Sequence, residues 1–447
     1  MDPQREPANG TRASNGVTGH HHHNVEAKEK AESYVSPPYS RYQREITMGV
    51  AQGTLPQFSL QMDDLAESMK GVMGEKAYAF ANGAAGVGWT DRANREEFYR
   101  WRIRPRAMVN TDTRDLSVNL FGHRIPAPIL FAPIGVNNLY HPDGELVPAK
   151  VAGELGLPYC MSTASAYTIE KVAESNDLGA AVRSPNKPLV NGQTERKAQS
   201  PRFFQLYMSN NEEVALGYLQ RAWNSGFDVC MFTIDTVQFG WRPTAFRPGA
   251  FKFPHAINFV PSDWFVEVSV RHRANGDPID PTHWHGVSHT WERIPWLIEQ
   301  WKRISGGRPF VLKGITDAED ALKALELGCD GIVISNHAGR QVDGAVGTLE
   351  VLPEIVEAVG DKMTILFDSG IRTGSDIFKA LALGAHAVLV GRLYIWGLAH
   401  SGEEGVRHVM KALLGDLDMT MTVAGYPSVT KLNRRALKYN SSGVPPQ

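Results

Sequence analysis

The chain is poor in cysteine, in net charge and in long apolar runs, and each shortage excludes a class of protein. It has only three cysteines among 447 residues, an odd number that favours reduced core thiols over a disulfide framework. The formal net charge of -2 makes neither nucleic acid nor an anionic membrane an expected partner. No apolar run approaches the roughly 18 residues that a membrane helix needs. These exclusions favour a protein that works on small molecules.

The two ends of the chain carry no recognisable targeting signal. The N-terminus lacks the apolar segment of a secretory signal, and the final SSGVPPQ is not a peroxisomal SKL signal. We therefore expect a cytoplasmic protein. The tract His20 to His23 could bind a metal, but a flexible low-complexity tail is the commoner explanation, so no metal is expected.

Composition divides the chain into four parts. Residues 1–55 predict a disordered or loosely ordered tail, because most of this stretch is polar and rich in Gly, Asn and Pro. Residues 56–120 predict a helical region, since FSLQMDDLAESMKGVM and ANREEFYRWRIRPR have helical spacing of apolar residues. Residues 121–435 predict the main domain, and residues 436–447 a C-terminal tail.

The main domain contains eight short apolar runs with helical segments between them. Continuous apolar strands alternating with helices predict a parallel sheet whose faces are both covered. The eight runs are PILFAPIG (128–135), PYCMSTAS (158–165), RFFQLYM (202–208), VCMFTID (229–235), PFVLKG (309–314), GIVISNH (331–337), TILFDSG (364–370) and AVLVGR (387–392). Eight such units predict an α/β fold, a closed (β/α)8 TIM barrel with an N-terminal helical extension. A doubly wound open sheet is the alternative, but no Gly-rich fingerprint follows the first run.

Two stretches interrupt the alternation, at residues 177–200 and 243–290. Loops of this length inside a compact domain are usually functional or disordered insertions. The second is rich in Trp and His and predicts a long lid loop over the active site.

Polar side chains stand at the ends of these runs. The carboxyl ends of barrel strands form the active site in this fold, so we expect the side chains to converge on one pocket. They are Ser162, Gln205, Tyr207, Thr233, Asp235, Lys313, His337, Asp368 and Arg392. Any one of them could merely cap the backbone, but nine together indicate a catalytic pocket.

The last two strand ends predict a phosphate site. The segments DSGIRTGSD and GRLYIWG offer glycine amides together with Arg372 and Arg392, in the loops where barrels often hold phosphate. The alternative is that these glycines serve tight turns and these arginines form surface ion pairs.

Seven motifs together carry a family resemblance: FAPIG, FFQLY, TIDT, LKG, SNHAGRQ, DSGIRTG and GR. In order and spacing they resemble the FMN-dependent 2-hydroxy acid dehydrogenase and oxidase family, over about residues 70–435. FGWRP (239–243) and WHGVSHTWERIPW (284–296) are most similar to lactate 2-monooxygenase. The resemblance implies FMN as cofactor, a homotetramer, and oxidation of an L-2-hydroxy acid such as lactate with O2 as acceptor. The product is then the 2-keto acid or, after oxidative decarboxylation, a shorter acid.

The resemblance also implies residue roles. His337 would be the catalytic base and Asp235 would stabilise its protonated ring, while the substrate contacts would be Arg340, Arg242, Tyr207 and Tyr78. The expected cofactor contacts are Pro133, Ile134, Gly135, Ser162, Gln205, Thr233, Lys313, Ser335, Asp368, Ser369, Gly370, Ile371, Arg372, Gly391 and Arg392.

The chain departs from the family pattern at three positions. A tyrosine usually precedes the x-A-x-G-A turn, whereas a gapless alignment puts Ala79 there and Tyr78 one residue earlier. Ala338 replaces a glycine after His337, and Ala164 stands where glycolate oxidase has a tryptophan. These changes predict a pocket of different shape.

Two other functions fit a barrel of this kind. An FMN barrel isomerase, such as a type 2 isopentenyl diphosphate isomerase, is one, but the pairing of His337 with Arg340 argues against it. A barrel that only binds a ligand is the other. It would be expected to have lost the base or the carboxylate-binding arginines, and both are present.

Overall fold

The computed structural model describes residues 38–54, 56, 59, 61–183, 200–244 and 288–442. The histidine tract, most of the insertion at 177–200 and nearly all of the lid predicted at 243–290 lie outside the described residues. Residues 177–183 are described, and they form the end of a helix.

In the part of the N-terminal region that the structure describes, four helices and a short strand precede the barrel. They are α1 (Pro38–Ala51), α2 (Met62–Val72), α3 (Gly74–Asn82), α4 (Trp89–Arg100) and β1 (Trp101–Ile103). Helix α1 lies within the predicted loose tail, so that prediction is wrong for its residues. The ring of Tyr42 on α1 packs edge-on against His408, with ring centroids 5.8 Å apart. This contact with a distant helix cannot be inferred from local composition.

The segment ANREEFYRWRIRPR is helical only in its first part. The helix ends at Arg100 and the chain continues as β1, which pairs antiparallel with β12 (Leu437–Tyr439) near the other end of the chain. The predicted C-terminal tail is therefore wrong for residues 437–439. Each of these two strands supplies the backbone hydrogen bonds that the other needs, and the pairing joins the two ends of the domain.

Eight parallel strands close into a barrel, as the eight apolar runs predict. A hairpin of β2 (Val118–Leu120) and β3 (His123–Ile125) precedes them. The barrel strands are β4 (Ile129–Phe131), β5 (Tyr159–Ser162), β6 (Arg202–Leu206), β7 (Val229–Thr233), β8 (Phe310–Ile315), β9 (Gly331–Ile334), β10 (Thr364–Phe367) and β11 (Ala387–Val390). They follow one another in chain order, and pairing of β11 with β4 closes the ring.

Side chains of the strands alternate between two cores. One set fills the barrel interior, where Leu130, Phe203 and Leu366 are fully buried together with Leu120 and Ile125 of the hairpin. The hairpin thus covers the end of the barrel at which the strands begin and leaves the other end for a site. The other set packs against the surrounding helices. Cys160, Cys230 and Cys329 are buried and unpaired, as expected of core thiols.

Eight helices of the described residues surround the barrel. They are α5 (Leu146–Leu155), α6 (Ile169–Arg183), α7 (Glu212–Asn224), α8 (Ile294–Ser305), α9 (Ala318–Glu326), α10 (Thr348–Val359), α11 (Gly374–Ala382) and α12 (Arg392–Ala424). Local sequence explains where some begin: Thr373 and Asp376 form a capping box at α11. Helix α12 is kinked at Ser401 and Gly402. Among the described residues, no helix is long and apolar enough to cross a membrane.

A buried ion pair joins the segment before the barrel to α12. Arg114 donates from Nε and Nη2 to the two carboxylate oxygens of Asp418, at 2.6 and 2.9 Å. Neither side chain is more than 6% exposed. Removing one partner of such a pair leaves an uncompensated buried charge.

We predict that Asp418→Ala lowers the free energy of unfolding by about 3–5 kcal/mol, because it strands the Arg114 charge. Denaturant unfolding followed by circular dichroism measures the change. The matched control is Glu170→Ala, which removes the partner of Arg221 from a pair whose carboxylate is 53% exposed. It should cost less than about 1 kcal/mol. Equal effects of the two substitutions would contradict the prediction.

Candidate active site

A cavity of about 400 Å³ opens at the carboxyl ends of the barrel strands. Sixteen of the predicted site residues line it: Pro133, Ile134, Gly135, Ser162, Tyr207, Arg242, Lys313, His337, Arg340, Asp368, Ser369, Gly370, Ile371, Arg372, Gly391 and Arg392. Four others, Asp235, Gln205, Thr233 and Ser335, do not line it but form hydrogen bonds with lining residues or with one another. The structure therefore brings these twenty residues together.

His337 and Asp235 form a pair at the ends of β9 and β7. The Nδ1 atom of His337 lies 2.8 Å from Oδ1 of Asp235, and Thr236 donates to the same oxygen at 2.8 Å. This leaves Nε2 of the imidazole to take up a proton. Burial lowers the pKa of His337 below its usual value, although the Asp235 charge opposes the shift. A neutral imidazole backed by a carboxylate is the arrangement expected of a general base.

The turn after β9 explains why an apolar strand stops at a histidine. His337 and Ala338 both have φ of +57°, a left-handed conformation that is uncommon for residues with a side chain. Ser335 holds the turn by accepting the backbone N–H of His337 at 3.1 Å. Asn336 does the same for Gly339 at 3.0 Å. Backbone strain of this kind is concentrated at functional sites.

Lys313 is a buried cation between two carboxylates. Its Nζ lies 3.4 Å from Oδ2 of Asp368 and 3.8 Å from Oδ2 of Asp235, and it donates to Ser335 at 2.9 Å. Burial alone would lower the pKa of Lys313, but the charges of Asp368 and Asp235 raise it above its usual value. In turn, burial would raise the pKa of Asp235, yet His337 and Lys313 hold it below its usual range. Lysine and aspartate therefore stay charged at neutral pH.

Arg340 connects the catalytic loop to the N-terminal helices. Its Nη1 donates to the carbonyls of Phe80, Ala81 and Gly83 at 2.7, 3.1 and 3.1 Å, at the C-terminal end of α3. None of these bonds uses Nη2 or Nε, which are the remaining donor atoms of the guanidinium.

Arg242 approaches the same loop from β7. Its Nε donates to the carbonyl of Arg340 at 2.8 Å and its Nη2 to Oε1 of Gln341 at 2.7 Å. Burial, followed by the charges of Arg242 and Arg392, lowers the pKa of Arg340 to about 9. Guanidinium groups that repel one another in a buried cavity favour binding of an anion, and their planar shape suits a carboxylate.

A row of hydrogen-bonded polar side chains begins at the cavity wall with Ser162. Ser162 donates to Oε1 of Gln205 at 3.1 Å, and Gln205 donates from Nε2 to Thr233 at 2.9 Å. These residues occupy the ends of three consecutive strands, β5 to β7. They present hydrogen-bonding groups in one row, as recognition of a flat heteroaromatic ring requires.

The other end of the cavity lies beside β10 and β11. Gly391 precedes the N-terminus of α12, and Arg392 is held by Asp91 at 2.6 Å and by the carbonyl of Ala338 at 2.9 Å. Gly370 has φ of +108°, and a Cβ there would lie 2.6 Å from the carbonyl oxygen of Asn94. Burial and then the charge of Arg392 lower the pKa of Arg372 to about 9. Glycines, a helix N-terminus and two arginines are the groups that commonly bind anions, so the phosphate site stays a prediction that these groups fit.

Tyr78 is the predicted site residue that does not reach the cavity. Phe80, two residues further along α3, lines the cavity in its place. Consecutive helix positions are separated by about 100°, so residues two apart face in very different directions. The gapless alignment pointed to Ala79 and to Tyr78 before it, whereas the aromatic residue of α3 that lines the cavity is Phe80, one residue after Ala79.

Eleven further residues that line the cavity were not among the predicted contacts, and four of them carry an aromatic ring or a hydroxyl group. These four are Phe80, Tyr140, Thr236 and Phe239. Thr236 lies within the quoted TIDT motif and Phe239 within FGWRP, so the motifs contained a signal for both. Tyr140 is nine residues beyond the end of β4, and no local pattern distinguishes it from an ordinary loop tyrosine.

A parallel barrel with a buried His–Asp pair, four arginines and several glycines around a cavity at its strand ends is typical of a class of cofactor-dependent enzymes. Comparison with known proteins narrows the class. Residues 69–439 match the model of the FMN-dependent dehydrogenase family. The chain belongs to this family and is an FMN-dependent oxidoreductase of alpha-hydroxy acids.

Individual relatives agree with the family match. The FMN-dependent alpha-hydroxy acid dehydrogenase qulF of Penicillium citrinum is 40% identical over 415 residues, covering 90% of this chain and 97% of the relative. L-lactate oxidase of Lysinibacillus sphaericus is 35% identical, covering 86% and 94%. The solved structure of a soluble mutant of (S)-mandelate dehydrogenase from Pseudomonas putida is 31% identical, with a TM-score of 0.72 and coverage of 86% and 100%.

The contact between His337 and Asp235 generates a prediction about pH. Wild-type flavin reduction by a 2-hydroxy acid should fall as pH decreases through the pKa of His337, which lies below 6.5. In Asp235→Asn this acid limb should move to lower pH, because the carboxylate that raises the histidine pKa is gone. The maximal rate should drop roughly 10- to 100-fold, the equivalent of one to two pKa units of lost imidazolium stabilisation.

Stopped-flow measurement of anaerobic flavin bleaching between pH 4.5 and 8 tests this prediction. Asp115→Asn is the control, since Asp115 is 57% exposed, lies beside Arg124 of the β2–β3 hairpin and does not line the cavity. An acid limb that stays in place in Asp235→Asn would show that the carboxylate does not tune this histidine.

Proposed function

We propose that the protein oxidises the 2-carbon of a short L-2-hydroxy acid such as lactate, with O2 as electron acceptor. The observation that carries this proposal is the meeting of His337, backed by Asp235, with Arg340 and Arg242 in one cavity. A base and a carboxylate-binding pair are what removal of hydrogen from a 2-hydroxy acid requires. L-lactate oxidase among the relatives supports both the substrate class and the acceptor.

FMN fits the residues at both ends of the cavity. Gly370 and Gly391 line the cavity beside Arg372 and Arg392, and their backbone N–H groups together with the two guanidinium groups would bind the phosphate. Ser162, Gln205 and Thr233 would hydrogen-bond the ring, together with backbone from Pro133 to Gly135. The remaining expected contacts are Lys313, Ser335, Asp368, Ser369 and Ile371. When bound, FMN accepts two electrons from the substrate and passes them on to O2.

Lys313 would favour the reduced cofactor. Its charge is buried and kept by two carboxylates, so it provides a fixed positive potential near the ring. A reduced flavin carries more negative charge than an oxidised one, so this potential stabilises the product of the electron transfer.

His337 would take the proton that leaves the substrate. Its Nε2 is free of the Asp235 contact, and the imidazolium formed there gains the neighbouring carboxylate as counter-charge. Arg340 and Arg242 would hold the substrate carboxylate, and Tyr207 would contact the substrate oxygens. The N–H donors of the two guanidinium groups orient the 2-carbon relative to the base.

The fate of the keto acid depends on how long it stays beside the hydrogen peroxide that O2 yields. The lactate 2-monooxygenase resemblance supports retention, which lets peroxide attack the keto acid and release CO2 with a one-carbon-shorter acid. Phe239 and Arg242 of the FGWRP segment line the cavity, in agreement with a role for that segment in substrate binding. Early release would instead give the keto acid and free peroxide.

We also propose that the protein is a homotetramer, from the family resemblance, and that it is located in the cytoplasm. Light scattering coupled to size-exclusion chromatography would measure the assembly.

Substituting the base and the carboxylate anchor should have different effects. We predict that His337→Gln keeps FMN but slows anaerobic flavin reduction by roughly 10²- to 10⁴-fold, because general-base catalysis is lost. Arg340→Lys keeps a charge but loses the planar fork, so substrate binding and reduction should both weaken, by about 1–3 kcal/mol. His141→Gln is the control, since His141 does not line the cavity. A normal rate of flavin reduction in His337→Gln would show that His337 is not the base.

The two product outcomes can be separated by stoichiometry. With lactate as substrate, we predict CO2 and acetate in near-equal amounts to the O2 consumed, and little free peroxide. An oxygen electrode with catalase, together with CO2 trapping, gives the ratio. Stoichiometric peroxide would instead establish the oxidase outcome, and anaerobic bleaching without O2 consumption would indicate a dehydrogenase that uses another acceptor.

A further inference from the structure

Tyr140 is a cavity residue without a role in the reaction described above. It follows β4 by way of a short 3-10 turn, Asn137–Leu139, and its backbone N–H donates to the carbonyl of Asn137 at 3.0 Å. Its side chain is partly buried and lines the cavity together with Arg340, Arg242 and Tyr207. The phenol thus comes from the β4–α5 loop, whereas the two arginines come from the loops after β7 and β9.

A buried carboxylate holds this loop in place. Oε1 of Glu145 accepts the backbone N–H of Asn137 at 2.9 Å and that of Ala166 at 3.0 Å. The first bond is to the turn before Tyr140, and the second is to the loop after β5. Glu145 is fully buried, so both bonds are shielded from water. The position of Tyr140 is therefore fixed relative to two strand ends.

Helix α3 contributes no phenol hydroxyl to the cavity. Phe80 lines the cavity from α3 and offers no polar atom, and Tyr78 does not reach the cavity. Of the residues that line the cavity, Tyr140 and Tyr207 carry a phenol. Each brings a phenol hydroxyl to the cavity, which Phe80 and Phe239 do not.

Tyr140 lies in the field of three arginines. Burial raises the pKa of its phenol above the usual value, although Arg340, Arg392 and Arg242 oppose the shift, while Glu145 adds to it. The hydroxyl is therefore protonated at neutral pH and acts as a donor. An anion attracted by Arg340 and Arg242 enters a cavity that Tyr140 also lines. Both guanidinium groups already donate to protein acceptors, so a carboxylate with about four acceptor positions has one left for a further donor.

We propose that the hydroxyl of Tyr140 donates a hydrogen bond to the carboxylate of the bound 2-hydroxy acid, beside Arg340 and Arg242. This proposal rests on the proposed function, because it takes the 2-hydroxy acid as the ligand of that end of the cavity. Tyr140 is then a substrate-binding residue, and it does not take up the substrate proton.

The test is Tyr140→Phe, which removes the hydroxyl and keeps the ring. Loss of a hydrogen bond to a charged acceptor should raise the substrate KM and the dissociation constant of oxalate about tenfold or more. Oxalate carries the carboxylate but no oxidisable C–H, and its binding can be followed as a perturbation of the flavin spectrum. The limiting rate of flavin reduction should change less than about threefold, because base and counter-charge are intact.

Tyr167→Phe is the matched control. Tyr167 donates to the carbonyl of Pro142, in the same loop as Tyr140, but does not line the cavity. It should leave KM, oxalate affinity and FMN affinity unchanged. FMN affinity of Tyr140→Phe, measured by reconstitution of the apoprotein, should also equal that of the wild type.

Each result decides between alternatives. Unchanged oxalate affinity and KM in Tyr140→Phe would overturn the proposal, and so would a loss of FMN affinity at constant oxalate affinity, which would place the hydroxyl on the cofactor. If the wild type binds oxalate but is not reduced by any 2-hydroxy acid, the proposed function fails. The oxalate comparison still tests the Tyr140 contact in that case.

Discussion

The contact between the buried Lys313 and its two carboxylates, Asp235 and Asp368, is the interaction on which the site depends. A lone ammonium at this depth would lose its proton, since burial disfavours the charged form. Two carboxylates at 3.8 and 3.4 Å keep the charge. Asp235 in turn orients His337, so one network sets both the electrostatics of the cofactor region and the geometry of the base. Because its members come from β7, β8, β9 and β10, the closed barrel is a precondition for it.

Arg340 connects the cavity to the N-terminal helices. The same side chain that faces the cavity binds three carbonyls at the end of α3, so the N-terminal helices are attached to the catalytic loop rather than merely packed beside the barrel. Asp343 adds to this link by accepting the N–H groups of Val87 and Trp89. Substitutions in the N-terminal region are therefore expected to shift Arg340, one of the two arginines proposed to bind the substrate carboxylate.

Four arginines, Arg242, Arg340, Arg372 and Arg392, line the cavity and make it electropositive. Among the ion pairs of the described residues, only that of Arg392 with Asp91, at 2.6 Å, involves one of the four. Burial, together with repulsion from neighbouring arginines, lowers the pKa of Arg340 and Arg372 to about 9. Anionic ligands would relieve this repulsion. The proposed binding of a phosphate group and of a substrate carboxylate would account for the four arginines.

The sequence by itself determined the barrel, because each strand is a continuous apolar run and such runs can be counted without knowing their neighbours. It also determined which polar residues meet, since strand ends converge in any closed barrel. Only the tertiary structure decided features that depend on contacts between distant segments. These are the pairing of β1 with β12, the packing of α1 through Tyr42 and His408, the choice of Phe80 over Tyr78 and the entry of Tyr140 into the cavity. The direction of a side chain on a short helix or loop is set by what it packs against, and local spacing carries no record of that.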